Sequence, residues 1–257
     1  MFSLSDQQIS AWLAQYLWVM IRISAFLLAV PIFGARTLPA RARIALAIPI
    51  TLVVSPLVNN IPDVELLSVQ GFLVAIEQAI IGFLLGFIFQ LFIQMFVVAG
   101  QIIAMNMGLG FASLNDPANG VVVTVLSQYY LTLATLLFLA VNGHLVLLEL
   151  ISKSFMFWSF TSFQLNAGYF KEVVGLGSWM FAGAMVLALP VTTAILLVNI
   201  AFGVMSRAAP QMNIFAVGFP ITLVFGLFII WFGLSNFLPQ FQQSLTELIL
   251  FAENLLG

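Results

Sequence analysis

The sequence predicts an all-α, polytopic membrane-type protein with about six apolar helical segments, several of them broken by proline or glycine. Three observations predict it. Charged residues make up 6% of the 257 residues and hydrophobic ones 63%, whereas a water-soluble domain carries about 25% charged residues. The few charges leave long gaps: residues 78–115, 117–148, 173–206 and 208–246 hold no Lys, Arg, Asp or Glu. Each gap exceeds the roughly 20 apolar residues a helix needs to cross a bilayer. No segment alternates apolar and polar residues as a barrel strand does, and a helix satisfies its own backbone groups in lipid.

Residues 9–33 form the first span, with Arg22 in its middle. A turn bearing Arg36, Arg41 and Arg43 follows. The second span, 44–58, is short and contains Pro49; Pro62, Asp63 and Glu65 lie in the next connection. The third span, 69–100, is long enough to tilt or to extend beyond a bilayer. Its Gly82 and Gly86 have the GxxxG spacing that admits another helix closely, without saying which. Residues 121–151 form the fourth span, 173–205 the fifth with Pro190, and 214–238 the sixth with Pro220. The tail, 239–257, has Leu245, Leu248, Ile249, Leu255 and Leu256 at the spacing of a short amphipathic helix. Arg36, Arg41, Arg43 and Arg207 place the first and fifth loops on the cytoplasmic side. The run Pro49-Ile-Thr-Leu-Val53 recurs at Pro220–Val224, a match short enough for chance.

Composition also excludes functions. A net charge of −2 and a pI of about 5.2 leave no basic surface for nucleic acid. The chain has no cysteine and one histidine, His144. Disulfides, thiolate chemistry and cysteine-based or multi-histidine metal sites are therefore ruled out. The first ten residues lack the positive region and cleavage site of a removable signal, so the first span is expected to direct insertion. No nucleophile, base and acid set stands out, so no enzymatic activity and no cofactor are expected.

Ionisable residues in or beside apolar spans are costly, about 2.5–3.5 kcal/mol at a helix centre on insertion scales. Arg22, Glu77, His144 and Glu149 are such residues. They suit an ion relay or, more simply, interhelical pairing such as Arg22 with Glu77, or contact with another subunit. Residues 105–120 depart most from their surroundings. They combine glycines, Pro117 and polar Asn115 and Asp116 with Met105, Met107, Leu109 and Phe111. Glycine and proline there favour irregular backbone. The residues alone leave open a plug lining a cavity or a surface connector.

The run Met205-Ser-Arg-Ala-Ala-Pro-Gln-Met-Asn-Ile-Phe-Ala-Val-Gly-Phe-Pro220 resembles the signature of the FliR family of flagellar type III export proteins, shared more loosely with injectisome export proteins. The Pro31-Ile-Phe-Gly34 turn with Pro39 and Arg41, Glu77 at the start of a long glycine-bearing helix, and the Gly108–Gly120 loop are similar to that family in order and position. The resemblance implies one integral-membrane export-gate domain over residues 1–257, a FliP-like portion at 1–172 joined to a FliQ-like helical hairpin with an amphipathic tail at 173–257. It implies a non-enzymatic subunit in the bacterial inner membrane, at the flagellar basal body, surrounded by lipids and assembled with FliP-like, FliQ-like and FlhB-like proteins. Unfolded flagellar subunits would pass its pore, driven by the proton-motive force and a separate ATPase. Met105, Met107, Gly108, Leu109, Gly110, Phe111, Asn115, Asp116, Pro117 and Gly120 would form the pore plug. Arg22, Arg41, Glu77, Arg207, Gln211 and Asn213 are the candidate intramembrane or intersubunit polar contacts. The competing reading is a small-solute secondary transporter, which needs a midplane site of converging ionisable groups and a repeat; only Arg22 and Glu77 could supply the former.

Overall fold

In a computed structural model of the chain, the described residues are 6–34, 38–58, 62, 64, 68–110, 124–158, 160, 167–208 and 214–256. Among them every regular element is helical. The helices are α1 (Asp6–Ala29), α2 (Ala40–Val54) with a 3-10 turn at Ser55–Leu57, α3 (Val69–Asn106), α4 (Val125–Ala140), α5 (Gly143–Phe157), α6 (Ala167–Ala208) and α7 (Ile214–Leu256). By length and composition, Ala40–Leu57, Val69–Asn106, Gly168–Ala208 and Gly218–Leu256 can each cross a membrane, and α4 with α5 adds a fifth span if the bent pair counts as one. The predicted all-α, polytopic class is what the structure has.

Local chemistry explains the boundaries. Gly34 folds the chain back onto the end of α1, where a β-carbon would sit 2.8 Å from the Val30 carbonyl oxygen. Pro39 precedes α2 in an extended conformation, φ −65° and ψ 148°, its ring holding φ near −65° and leaving no N–H to satisfy at the helix start. Ser68 caps α3, its Oγ accepting from the Gly71 N–H at 3.0 Å.

Two boundaries differ from the sequence prediction. The span expected at 121–151 is two helices bent by 71°. Asn142 lies between them in the left-handed region, φ 59°, which asparagine tolerates better than most residues. The tail expected to stand apart after Leu238 instead continues α7 through Pro239. Proline in a helix interior costs about 3 kcal/mol. A buried stripe runs across it, however: Phe237, Phe241, Leu245, Leu248, Ala252 and Leu255. Each large apolar side chain so buried contributes roughly 1.5–3 kcal/mol, and together they outweigh the proline.

The chain divides into two compact units. The first comprises Met1–Leu91, Val141–Leu176 and Glu247–Gly257. Its core holds Trp18, Arg22, Phe26, Ile81 and Leu85. At its surface Lys153 Nζ binds both Glu149 Oε1 and Glu253 Oε1 at 2.9 Å, which ties the end of α7 to α5. The second comprises Phe92–Ala140 and Gly177–Thr246. Its core is a cluster of rings in which Phe92 meets Phe96 at 5.3 Å and Phe241 at 5.2 Å, while Phe237 meets Phe96 at 5.4 Å. Offset and edge-on ring contacts at these separations add attraction beyond burial.

Candidate functional site

Among the described residues, Arg22 is the one charged residue buried in the first unit's core. Its Nε donates to Gln78 Oε1 at 2.7 Å. One terminal nitrogen donates to the Ser154 carbonyl at 2.9 Å and to Ser154 Oγ at 3.3 Å, the other to the Trp158 carbonyl at 2.9 Å. The guanidinium carbon lies 4.1 Å from the centre of the Phe155 ring and 5.6 Å from that of Phe160. No described carboxylate pairs with it. Its charge is met instead by the C-terminal end of α5, where the helix dipole is negative and the Ser154 carbonyl also accepts the Trp158 N–H at 3.0 Å, and by aromatic faces. A five-donor planar fork suits this site in a way a lysine would not.

Glu77, offered by the sequence as the partner of Arg22, does not take that place. Successive helical residues are rotated by about 100°. Gln78 shares its face with Ile81 and Leu85, both buried, while Glu77 is turned to the flank and half-buried. No signal in the sequence singles out Ser154 and Trp158, because they contribute mainly backbone oxygens.

The plug candidate is described only at its flanks; Phe111, Asn115, Asp116, Pro117 and Gly120 lie outside the described residues. Gly108 ends α3. Its φ is +82°, its N–H bonds the Met105 carbonyl at 3.1 Å, and the Leu109 N–H bonds the Ala104 carbonyl at 2.9 Å. This is a Schellman ending, which favours glycine at the left-handed position. Met107 is fully buried; a β-carbon on Gly226 of α7 would lie 2.7 Å from its Cε. Met105 is exposed, and Leu109 and Gly110 are half-buried.

On the far side, Gln101 Oε1 accepts from the Thr124 N–H at 3.4 Å, Thr124 Oγ1 at 3.2 Å and Ser127 Oγ at 3.0 Å. Gly110 and Thr124 therefore lie at the same end of α3. Gly108→Val is expected to destabilise the isolated chain by about 1–2 kcal/mol, the cost of a left-handed backbone for an L-residue. Its β-carbon would also sit 3.0 Å from the Phe219 ring. Gly108→Asn, which tolerates that backbone, should lose less. Thermal melting of the detergent-purified variants checks the order; equal melting of the Val variant and the wild type would contradict it.

Of the remaining candidates, Arg41 and Arg207 are among the described residues. Arg41 is exposed on α2, and Arg43 donates to the Leu38 carbonyl at 2.9 Å. Arg207 is exposed at the end of α6, and Gln211 and Asn213 lie outside the described residues.

The long helices present a different surface. α6 has 42 residues and α7 has 43, so each is roughly 65 Å long, about twice the hydrocarbon thickness of a bilayer. Large apolar side chains are exposed from Phe170 to Met205 on α6, among them Phe181, Leu197 and Val204, and from Phe219 to Leu238 on α7, among them Trp231 and Phe232. The stretch on α7 is about 30 Å long, one bilayer thickness, and that on α6 about 50 Å. A bilayer covers about 30 Å of the latter, and the remainder must meet something equally apolar.

A family model described as bacterial export proteins, family 1, matches residues 13–248. The flagellar biosynthetic protein FliR of Escherichia coli strain K12 is 37% identical over 229 residues, spanning 88% of this chain and 87% of that protein. FliR of Pectobacterium carotovorum is 36% identical over 236 residues, spanning 91% and 89%. FliR of Bacillus subtilis strain 168 is 33% identical over 211 residues, spanning 81% of each.

Proposed function

The chain belongs to the bacterial export proteins, family 1, and we propose that it is a non-enzymatic core subunit of the flagellar type III export gate in the inner membrane. It assembles with FliP-like and FliQ-like subunits, and with an FlhB-like protein, around a pore for unfolded flagellar subunits. The observation that carries this reading is the length of exposed apolar surface on α6. A helix of about 65 Å with apolar surface beyond one bilayer thickness needs partner helices as well as lipid.

Residues 1–172 act as the FliP-like portion and 173–257 as the FliQ-like hairpin. The hairpin is supported by a cavity in the second unit lined by both Pro190 and Phe232. Each lies about five turns from the connection between α6 and α7, as in an antiparallel pair. Residues 105–120 act as the plug. Their flanks are held on one end of α3, so the intervening residues can be displaced from a pore without unfolding the helix.

Deleting residues 110–121 in the chain co-expressed with its partners tests both parts. The Gly108 ending and the Thr124 anchor are kept. The expected result is a co-purifying hetero-oligomer in mild detergent, with membranes leakier to ions than those carrying the wild-type complex. A stable monodisperse monomer with no such partners sinks the assembly. An intact complex as ion-tight as wild type sinks the plug.

A further inference from the structure

Glu77 is the only charged residue between Glu65 and Asp116. It is half-buried on α3, and Arg22, the cation of the neighbouring core, is bound to Gln78 instead. Glu77 has no hydrogen bond or ion pair among the described residues. Beside it the first unit has an apolar groove of about 450 Å³, lined by Ile76, Ile80, Phe83 and Phe87 of α3 and by Phe170 and Val174 of α6. The α3 residues recur every three to four positions and so form one stripe. Glu77 stands on the shoulder of that stripe, one turn from Ile80. The stripe extends to the exposed Val69 and Phe72, which makes it about 27 Å long.

Length and charge together select the occupant. A stripe of five turns is read by a helix through anchors one turn apart. The carboxylate at its edge, without a partner among the described residues, attracts a guanidinium or ammonium, more strongly where a docked helix excludes water. We infer that this groove receives an apolar helix of another subunit, carrying a Lys or Arg that pairs with Glu77. The inference rests on the reading of the chain as an export-gate subunit and adds one docking surface and its chemistry.

A photo-reactive phenylalanine at position 83, in the chain co-expressed with its partner subunits, tests it; the same probe at position 231 on α7 serves as reference. The expected product at 83 is a covalent adduct with another subunit, at a peptide holding Lys or Arg within about two helical turns. Glu77→Lys should lower its yield about tenfold and Glu77→Gln about threefold, as expected for a desolvated charge pair across an interface, while the adduct at 231 is unchanged. If the Lys variant fails to assemble, the Gln variant carries the comparison. A lipid adduct alone at 83, or an adduct insensitive to both Glu77 substitutions, overturns the inference. Adducts at 231 with none at 83 overturn it and leave the export-gate reading standing; no subunit adduct at either position removes both.

Discussion

Arg22→Ala is expected to destabilise the isolated chain by about 2–5 kcal/mol, through the cavity a large-to-small core substitution leaves and the buried acceptors it strips of a donor. The guanidinium is fully buried and joins α1 to Gln78 of α3 and to the Ser154 and Trp158 carbonyls at the end of α5. Removing it leaves Gln78 Oε1 and the Trp158 carbonyl without this donor, while the Ser154 carbonyl keeps the Trp158 N–H at 3.0 Å; an unsatisfied buried group costs about 1–3 kcal/mol. It also opens a cavity beside Phe155, whose ring faces the guanidinium at 4.1 Å. An apolar isostere does not repair the site, because two of the partners are backbone oxygens that no substitution can remove. Arg22→Met should therefore fall near Arg22→Ala.

Arg22→Lys keeps the charge and loses the fork that spans Gln78 and both carbonyls, so most of the loss should persist. Thermal melting of the detergent-purified chain, read beside the yield of assembled complex, decides it. A Lys variant as stable as wild type would show that charge alone matters there and would contradict the geometric account.

Arg22 was legible in the sequence as an anomaly; its partners were not. A lone charge in an apolar run demands compensation, and the nearest visible anion was Glu77. The helix face decides otherwise, and it places the amide of Gln78 against α1. The carbonyls of Ser154 and Trp158 are invisible in principle, since every residue carries one. What makes those two available is the end of α5, a boundary that a continuous apolar reading of residues 121–151 hid.

Asn142-Gly143 was the written signal for the preceding bend. It was outweighed by the apolar residues on both sides, because hydrophobicity reports what is buried and not the direction of the chain. Pro239 misled in the opposite sense. A proline costs one helical hydrogen bond, and the buried stripe from Phe237 to Leu255 keeps the helix continuous through it. Gly108 was legible as a point of backbone freedom, and the structure uses that freedom to stop α3. The anchor at the other flank, Gln101 with Thr124 and Ser127, needed the fold, since 23 residues separate Gln101 from Thr124.

The GxxxG pair is the clearest case in which sequence supplied a property and structure supplied its object. Gly82 and Gly86 face α1. A β-carbon on Gly82 would meet the Arg22 carbonyl oxygen and lie 3.0 Å from the Phe26 nitrogen; one on Gly86 would lie 2.6 Å from Ala29 Cβ and 2.7 Å from the Phe26 oxygen. The obstacles at Gly82 are backbone atoms, which cannot rotate aside, so any side chain there must push the two helices apart. The hydrogen bond from Arg22 to Gln78, 2.7 Å long, runs across the same gap and stretches with it.

Gly82→Ala is therefore expected to cost about 1–3 kcal/mol through overpacking, reduced by up to about 1 kcal/mol of helix propensity gained over glycine. Gly82→Val should cost more. Gly203 on α6 gives the contrast: a β-carbon there meets nothing within 4 Å, so in the isolated chain Gly203→Ala should be neutral or stabilising by about 1 kcal/mol. Combining Gly82→Val with Arg22→Ala should cost less than the sum of the two, because both lose one shared contact and neighbouring sites couple. Melting of these five variants, Arg22→Ala alone included, in one detergent measures this. Additive losses, or a Gly82→Ala chain as stable as wild type, would mean that the glycine notch and the arginine do not act on the same helix contact.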